Sequence, residues 1–197
     1  MRKKVAVIVG RFQVPILTGG HDWLLRKAIV GYDKVLILIG DTKILPNGYY
    51  RLDSHDPYPF EIRKTIINDF INTEFSQSDR DKILGIYRFE DVGNLEIWNK
   101  KLDVFLDNLA KGFLEQLEFV MLGSRDSFAI RYSGKNSVYI LESPESIKEE
   151  SGTDMRKEFY KTDSETLEYT TLEFRRGVLW AIMEMERLKN LKDDEEI

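Results

Sequence analysis

The sequence predicts a doubly wound α/β fold: a five-stranded parallel sheet with helices packed on it and further helices at the C-terminal end. Three observations predict it. Short apolar runs of strand length alternate with segments whose apolar residues recur every three or four positions. The runs at 5–9 and 35–39 are apolar on both faces, which suits strands covered from either side. The first forty residues or so read as strand, helix, strand, a unit whose crossover should be right-handed.

Taken in order, residues 3–10 form the first strand and Gly10 closes it. A glycine-bearing loop follows, then a helix over 21–30 with Leu24, Leu25, Ala28 and Ile29 on one face and Gly31 as its stop. Residues 34–40 are a second buried strand. The stretch 41–58, with Pro46, Asn47-Gly48 and Pro57, is a loop long enough to suggest function. Pro59 opens a helix over 59–72 whose buried face is Ile62, Ile66, Ile67 and Phe70. A third strand is expected over 82–91, and a helix over 95–115 carrying Trp98, Leu102, Phe105 and Leu109. Residues 119–123 and 137–141 are the fourth and fifth strands. A short helix over 151–160 and an amphipathic one over 167–191 complete the chain, before an acidic, solvated tail. In such a sheet, ligands sit outside the carboxyl ends of the strands, where strand order reverses.

Composition narrows the function. The chain has 197 residues, enough for one domain with a sizeable core, and a formal charge of -5, unlike a general nucleic-acid binder. There is no cysteine, so disulfides and thiolate metal sites are excluded. No run approaches the roughly twenty apolar residues that span a bilayer. With no cleavage site behind the first apolar run, a cytoplasmic location is expected, with neither membrane nor nucleic acid as partner.

Two turns carry the chemistry. The loop from Gly10 to His21 joins a strand to a helix N-terminus, where free N–H groups and the helix dipole favour an anion. His21, one of two histidines, stands at the helix start and can donate to a phosphate oxygen. Ser151-Gly152-Thr153-Asp154-Met155-Arg156 opens a second helix with two hydroxyls and a guanidinium, which suits a polyphosphate. Taken singly, each turn is equally well an ordinary capped helix start. By spacing alone, Trp98 is most simply a core residue. Tyr87, Phe89, Tyr132 and Tyr139 read as core or rim, and Lys100-Lys101 and Arg175-Arg176 as solvated faces.

As a pair, Thr18-Gly19-Gly20-His21 and Ser151 to Arg156 resemble the signature of the nucleotidylyltransferase superfamily, a (H/T)-x-G-H loop and a distal S-x-T-x-x-R turn. Gly10-Arg11-Phe12-Gln13 is similar to the opening of the nicotinamide-mononucleotide adenylyltransferases of the archaeal type and of the bacterial adenylyltransferase–Nudix fusions. Asp56-Pro57-Tyr58-Pro59-Phe60-Glu61-Ile62-Arg63 resembles their (R/K)-(D/N)-P-F-(S/T)-x-x-E-R element, Asp91 with Trp98 their D-x6-W element, and Gly123-Ser124-Arg125-Asp126 their segment after the fourth strand. The chain departs from that pattern in places. Two extra residues lie between Gln13 and His21, Thr18 stands where the first histidine would, and His55 replaces the basic residue before the Asp-Pro element.

The resemblance implies a Rossmann-like nucleotidylyltransferase fold over 1–162, with 163–197 as its helical extension. It implies transfer of AMP from ATP to nicotinamide mononucleotide, giving NAD and pyrophosphate. His21, Thr18 and Arg156 would be catalytic. Gly10, Arg11, Phe12, Gly20, Gly123, Ser124, Ser151 and Thr153 would join His21 and Arg156 around ATP. Gln13, Gly40, His55, Asp91 and Trp98 would hold the acceptor, with nicotinamide stacked on Trp98. No metal ligands are expected on the chain; Mg2+ would ride on the triphosphate. Relatives of this type are often multimers, which allows a homo-oligomer. Other readings are adenylyl or cytidylyl transfer to phosphopantetheine or a flavin nucleotide, and a nucleotide-sensing module without turnover.

Overall fold

The computed structural model describes residues 2–14, 17–41, 58, 60–124 and 127–147. The order is β1 (Lys3–Gly10), α1 (Gly19–Gly31), β2 (Lys34–Asp41), α2 (Phe60–Glu74), the single-turn α3 (Gln77–Arg80), β3 (Ile83–Glu90), α4 (Leu95–Lys111), β4 (Leu117–Gly123) and β5 (Ser137–Ile140). Two 3-10 turns, Phe128–Arg131 and Glu145–Ile147, lie before and after β5.

The five strands form one sheet in the order β3-β2-β1-β4-β5, and every pair is parallel. Side chains alternate across it, as the pleat requires. Ala6 and Ile8 of β1, with Val35, Ile37 and Ile39 of β2, meet α1 and α2 through Leu25, Ala28, Ile29, Ile62 and Ile67. Val5, Val7 and Val9, with Leu36 and Leu38, face the other way, onto Trp98, Leu102 and Leu106 of α4 and Ala129 of the first 3-10 turn. Burial on both faces explains why the strand sequences are unbroken apolar runs. The chain winds outward from β1 to β3 and then crosses to β4 on the other flank of β1. Strand order therefore reverses between β1 and β4, whose carboxyl ends are Gly10 and Gly123; open α/β sheets generally take their ligands at such a reversal.

Several boundaries differ from the sequence expectation, each for a local reason. α1 begins at Gly19 rather than His21, because Thr18 is the N-cap. Gly31 is the last helical residue; the chain leaves the helix at Tyr32, whose N–H reaches the Ala28 carbonyl at 3.1 Å. α4 stops at Lys111 rather than 115, because Gly112 caps it with its N–H on the Leu109 carbonyl. β4 starts two residues early, drawn into register by Lys3 opposite Leu117. On α2 the inner position falls to Ile71, with Phe70 at the margin; on α4 it falls to Leu106, with Phe105 and Leu109 at the margin. Tyr132 and Phe89 are core, Tyr139 is rim, and Lys100 and Lys101 lie on the solvated face, paired with Glu96 and Glu90. The loop 42–57, Pro59 and the expected helices at 151–160 and 167–191, with Arg175-Arg176, lie outside the described residues.

Candidate active site at the carboxyl edge of the sheet

The loop after β1 holds an unusual backbone. Phe12 has φ +50°, a left-handed conformation that costs an L residue about 1–2 kcal/mol. Its ring folds back over Gly10, where a Cβ would lie 2.9 Å from the nearest ring carbon, so glycine alone fits there without a shift. The same ring lies 5.0 Å from the His21 imidazole.

Arg63 supports this turn from below. It lies on the apolar face of α2 and is 1% exposed. Its Nη1 donates to the Arg11 carbonyl at 2.7 Å and to the Gly40 carbonyl at 2.8 Å, tying the ends of β1 and β2 together. Its Nη2 pairs with Asp41 Oδ1 at 3.4 Å, and Arg88 Nε lies 3.3 Å from the other Asp41 oxygen. Arg88 also reaches Glu61, at 3.3 Å. The buried guanidinium thus has both a counter-charge and carbonyl acceptors, the condition under which a charge persists in a core.

At the start of α1, Thr18 and His21 form a capping box. Thr18 N–H donates to His21 Nδ1 at 3.2 Å, and His21 N–H donates to Thr18 Oγ1 at 3.4 Å. The hydroxyl itself is 2.8 Å from Nδ1. Because Nδ1 accepts a backbone N–H, the neutral ring carries its proton on Nε2. Burial of the imidazole pushes its pKa from 6.5 to about 4, so the ring is neutral at neutral pH. The loop therefore presents a fixed N–H donor rather than a cation. Gly20 precedes it, with the Ile147 side chain 3.6 Å from where its Cβ would be.

A cavity of about 770 Å³ opens beside this loop, lined by Arg11, Asp91, Asn94, Trp98, Phe128 and Arg131 among others. Arg11 Nη2 pairs with Asp91 Oδ2 at 3.0 Å, and Gly93 N–H donates to Asp91 Oδ1 at 3.3 Å. Asp91 is placed by its own N–H on the Asp41 carbonyl at 3.0 Å, just past the end of the β2–β3 ladder. Trp98 is 4% exposed, edge-on to Phe89 at 5.6 Å and stacked with Phe128 at 6.0 Å. It is a core residue and a cavity wall at once.

The structure brings Arg11, Asp91 and Trp98 to one cavity. Gly10, Phe12, Thr18, Gly20 and His21 lie along the adjoining β1–α1 loop. Gln13 is 5% exposed and gives both ends of its amide to the Tyr58 backbone, donating to the carbonyl at 3.2 Å and accepting the N–H at 3.0 Å. Gly40 lends its carbonyl to Arg63. Gly123 ends β4 under Ser127 and Ala129; a Cβ there would come within 2.8 Å of the Ala129 methyl. Ser124 accepts the Ser127 N–H at 3.0 Å. His55, Arg125, Asp126, Ser151, Thr153 and Arg156 lie outside the described residues.

Sequence reasoning named Arg63 only as the last residue of the Asp56–Arg63 element and gave it no role of its own; Asp41, Phe128 and Arg131 were assigned none. The motif and the place of an arginine within the stripe Ile62, Ile66, Ile67 were the available signals for Arg63. A four-residue 3-10 turn has no period to read, so nothing marked Phe128 and Arg131.

Among the described residues no group of three or more His, Asp or Glu side chains is placed to hold a metal. The cavity's carboxylate is already engaged by Arg11, and two guanidinium groups share that wall. Such a donor set suits anions and does not fit a resident cation. No helix among the described residues is long and apolar enough to cross a membrane.

No family model matches the chain, and no curated protein matches it. Solved structures do. One is a bifunctional NMN adenylyltransferase/ADP ribose pyrophosphatase from Francisella tularensis complexed with AMP and a Mn ion; it superposes with a TM-score of 0.62 at 20% identity over 94% of this chain and 55% of that one. A second structure of the bifunctional protein from Francisella tularensis gives 0.62 and 20% over 94% and 56%. The NadR protein in complex with NAD and AMP-PNP gives 0.51 and 16% over 79% and 42%. The chain thus spans about half the length of the structures it matches. In fold, the chain is similar to these NMN adenylyltransferase and NadR structures, the resemblance its loop motifs carry.

Proposed function

We propose that the chain is an adenylyltransferase that moves AMP from ATP to the 5′-phosphate of a pyridine mononucleotide and releases pyrophosphate; nicotinamide mononucleotide, giving NAD, is the acceptor the resemblance implies, and both it and its nicotinate counterpart present that phosphate. One observation carries the reading. Arg11, Asp91 and an aromatic wall built on Trp98 line a nucleotide-sized cavity at the carboxyl edge of the sheet, and Arg11 belongs to the loop that leads to the Thr18–His21 cap. The likeness of fold to NMN adenylyltransferase structures supports it.

The acceptor phosphate oxygen attacks the α-phosphorus of ATP. An O–P bond forms, the bond from the α-phosphorus to the bridging oxygen breaks, and pyrophosphate leaves with the electron pair. The acceptor is an anionic nucleophile near neutral pH, so no protein base is required. Catalysis is alignment of two anions and stabilisation of the charge building on the leaving group. His21 Nε2–H donates to that charge as a neutral, preorganised donor, with N–H groups of the Gly10–Gly20 loop and Thr18 beside it. Arg11 bridges the two substrates' phosphates. Arg156, Ser151 and Thr153 clamp the β- and γ-phosphates. Gly123 and Ser124 adjoin adenosine; Asp91, Trp98, Gln13, Gly40 and His55 serve the acceptor. Mg2+ arrives on the triphosphate as part of the substrate.

The test is a panel. Purified full chain is incubated with ATP, Mg2+ and pyridine, pantetheine or flavin acceptors, and pyrophosphate and product mass are followed. Pyrophosphate with a dinucleotide from the pyridine acceptors alone is the expected result. Turnover of phosphopantetheine or a flavin nucleotide instead would move the chain to another transferase. ATP binding with no turnover of any acceptor would make it a sensing module.

A further inference from the structure

The charges around the cavity are unevenly engaged. Asp91 has one oxygen on Arg11 and the other on the Gly93 N–H. Arg131 stands on the same wall, exposed, and its guanidinium has no hydrogen bond or ion pair among the described residues. Its place follows from local geometry. A 3-10 helix completes a turn every three residues, so side chains at i and i+3 share a face. Phe128 and Arg131 are the first and last residues of one such turn, and Phe128 is the ring stacked on Trp98. An unengaged cation therefore flanks the aromatic wall on which the acceptor's ring would lie.

We propose that Arg131 sets the choice of acceptor by the substituent on its pyridine ring, so that the site prefers a mononucleotide whose ring bears a carboxylate, nicotinate, over one bearing a carboxamide, nicotinamide. This rests on the adenylyltransferase reading above. The ring of either mononucleotide is a pyridinium cation, because its nitrogen is bonded to ribose. With a neutral carboxamide it brings like charge to the guanidinium. With a carboxylate the ring becomes a zwitterion, and the carboxylate accepts paired N–H bonds from the planar fork of Arg131. Neither oxygen of Asp91 is bonded to Arg131: one pairs with Arg11 and the other accepts the Gly93 N–H. The transfer step is unchanged, because both acceptors attack through the same 5′-phosphate oxygen.

The experiment is equilibrium binding of each mononucleotide to the full chain without ATP, by calorimetry, for the parent, Arg131→Gln and Arg131→Lys. Arg131 is exposed, so neither change should disturb folding. The parent should bind nicotinate mononucleotide about tenfold more tightly than nicotinamide mononucleotide, the scale of one charge-assisted contact. Arg131→Gln should bring the ratio near one by weakening the nicotinate form, and Arg131→Lys should restore part of it. Equal binding of both by the parent would overturn the assignment. Equal loss of both in Arg131→Gln would overturn it too, placing the guanidinium on the shared phosphate. If parent and Arg131→Gln bind the two mononucleotides with the same preference, Arg131 loses its role while the transferase reading stands. If neither mononucleotide binds, the assignment of Arg131 falls, and the acceptor panel with ATP decides the transferase reading separately.

Discussion

The role of His21 follows from which ring nitrogen carries the proton. The Thr18 N–H occupies Nδ1, so Nε2–H is the group left to meet a phosphate. The folded pKa near 4 lies below the unfolded 6.5, so between these values the unfolded chain binds more protons. This contribution to stability is complete above about pH 6.5 and is lost as pH falls toward 4. Thermal melts of the parent and His21→Gln at pH 7 and pH 5 should show the parent losing more on acidification; parallel losses would contradict the burial of the imidazole. Thr18→Val removes a cap worth about 1 kcal/mol and the hydroxyl on Nδ1, so both the melting temperature and kcat should fall. Thr18, Gly20 and His21 were legible because cap residues and glycines leave a mark in sequence. The left-handed Phe12 was not, because phenylalanine has no intrinsic preference for that conformation. Tertiary support from Arg63 and the ring's seat on Gly10 hold it.

Among the elements, α2 and α4 show how one stripe can serve both core and site. On α2 the apolar period continues through Arg63, which replaces hydrophobic contact with two carbonyl bonds and an ion pair. Arg63→Met keeps the volume but removes a buried partner of Asp41, and should cost about 3–5 kcal/mol in urea unfolding. A loss within experimental error would mean that Arg88 alone satisfies Asp41. On α4, Trp98 has the spacing of a core residue and the burial of one, yet it also lines the cavity. Trp98→Ala should raise KM for the pyridine substrate and spare ATP; equal loss for both would mark a purely structural tryptophan. The single-turn α3 was not readable, because four residues hold no repeat, whereas the five strands and the helices α1, α2 and α4 were readable from period. Their ends were set by caps and by the register of neighbouring strands, which a single segment does not contain. Phe128 and Arg131 stayed hidden because a 3-10 turn leaves no stripe.

For the molecule as a whole, the order β3-β2-β1-β4-β5 gathers residues distant in sequence at one edge. Arg11 and Asp91, eighty positions apart, meet there at 3.0 Å, across the end of β2. A crevice at the carboxyl ends of the strands was legible from the alternation of strands and helices; that Arg11 and Asp91 pair there was not, since Asp91 stood out only through the motif it shares with Trp98. The acid–base character of the site was not, since the neutrality of His21 comes from burial and from Thr18 rather than from residue type. The proposed chemistry therefore uses an uncharged donor beside guanidinium groups. The most direct measurement is the rate of dinucleotide formation by His21→Ala beside the parent, at saturating ATP and acceptor. A fall of about a hundredfold or more in kcat, with a smaller change in KM, is predicted for a donor that acts on the leaving group. A mutant as fast as the parent would contradict the placing of adenylyl transfer at this loop.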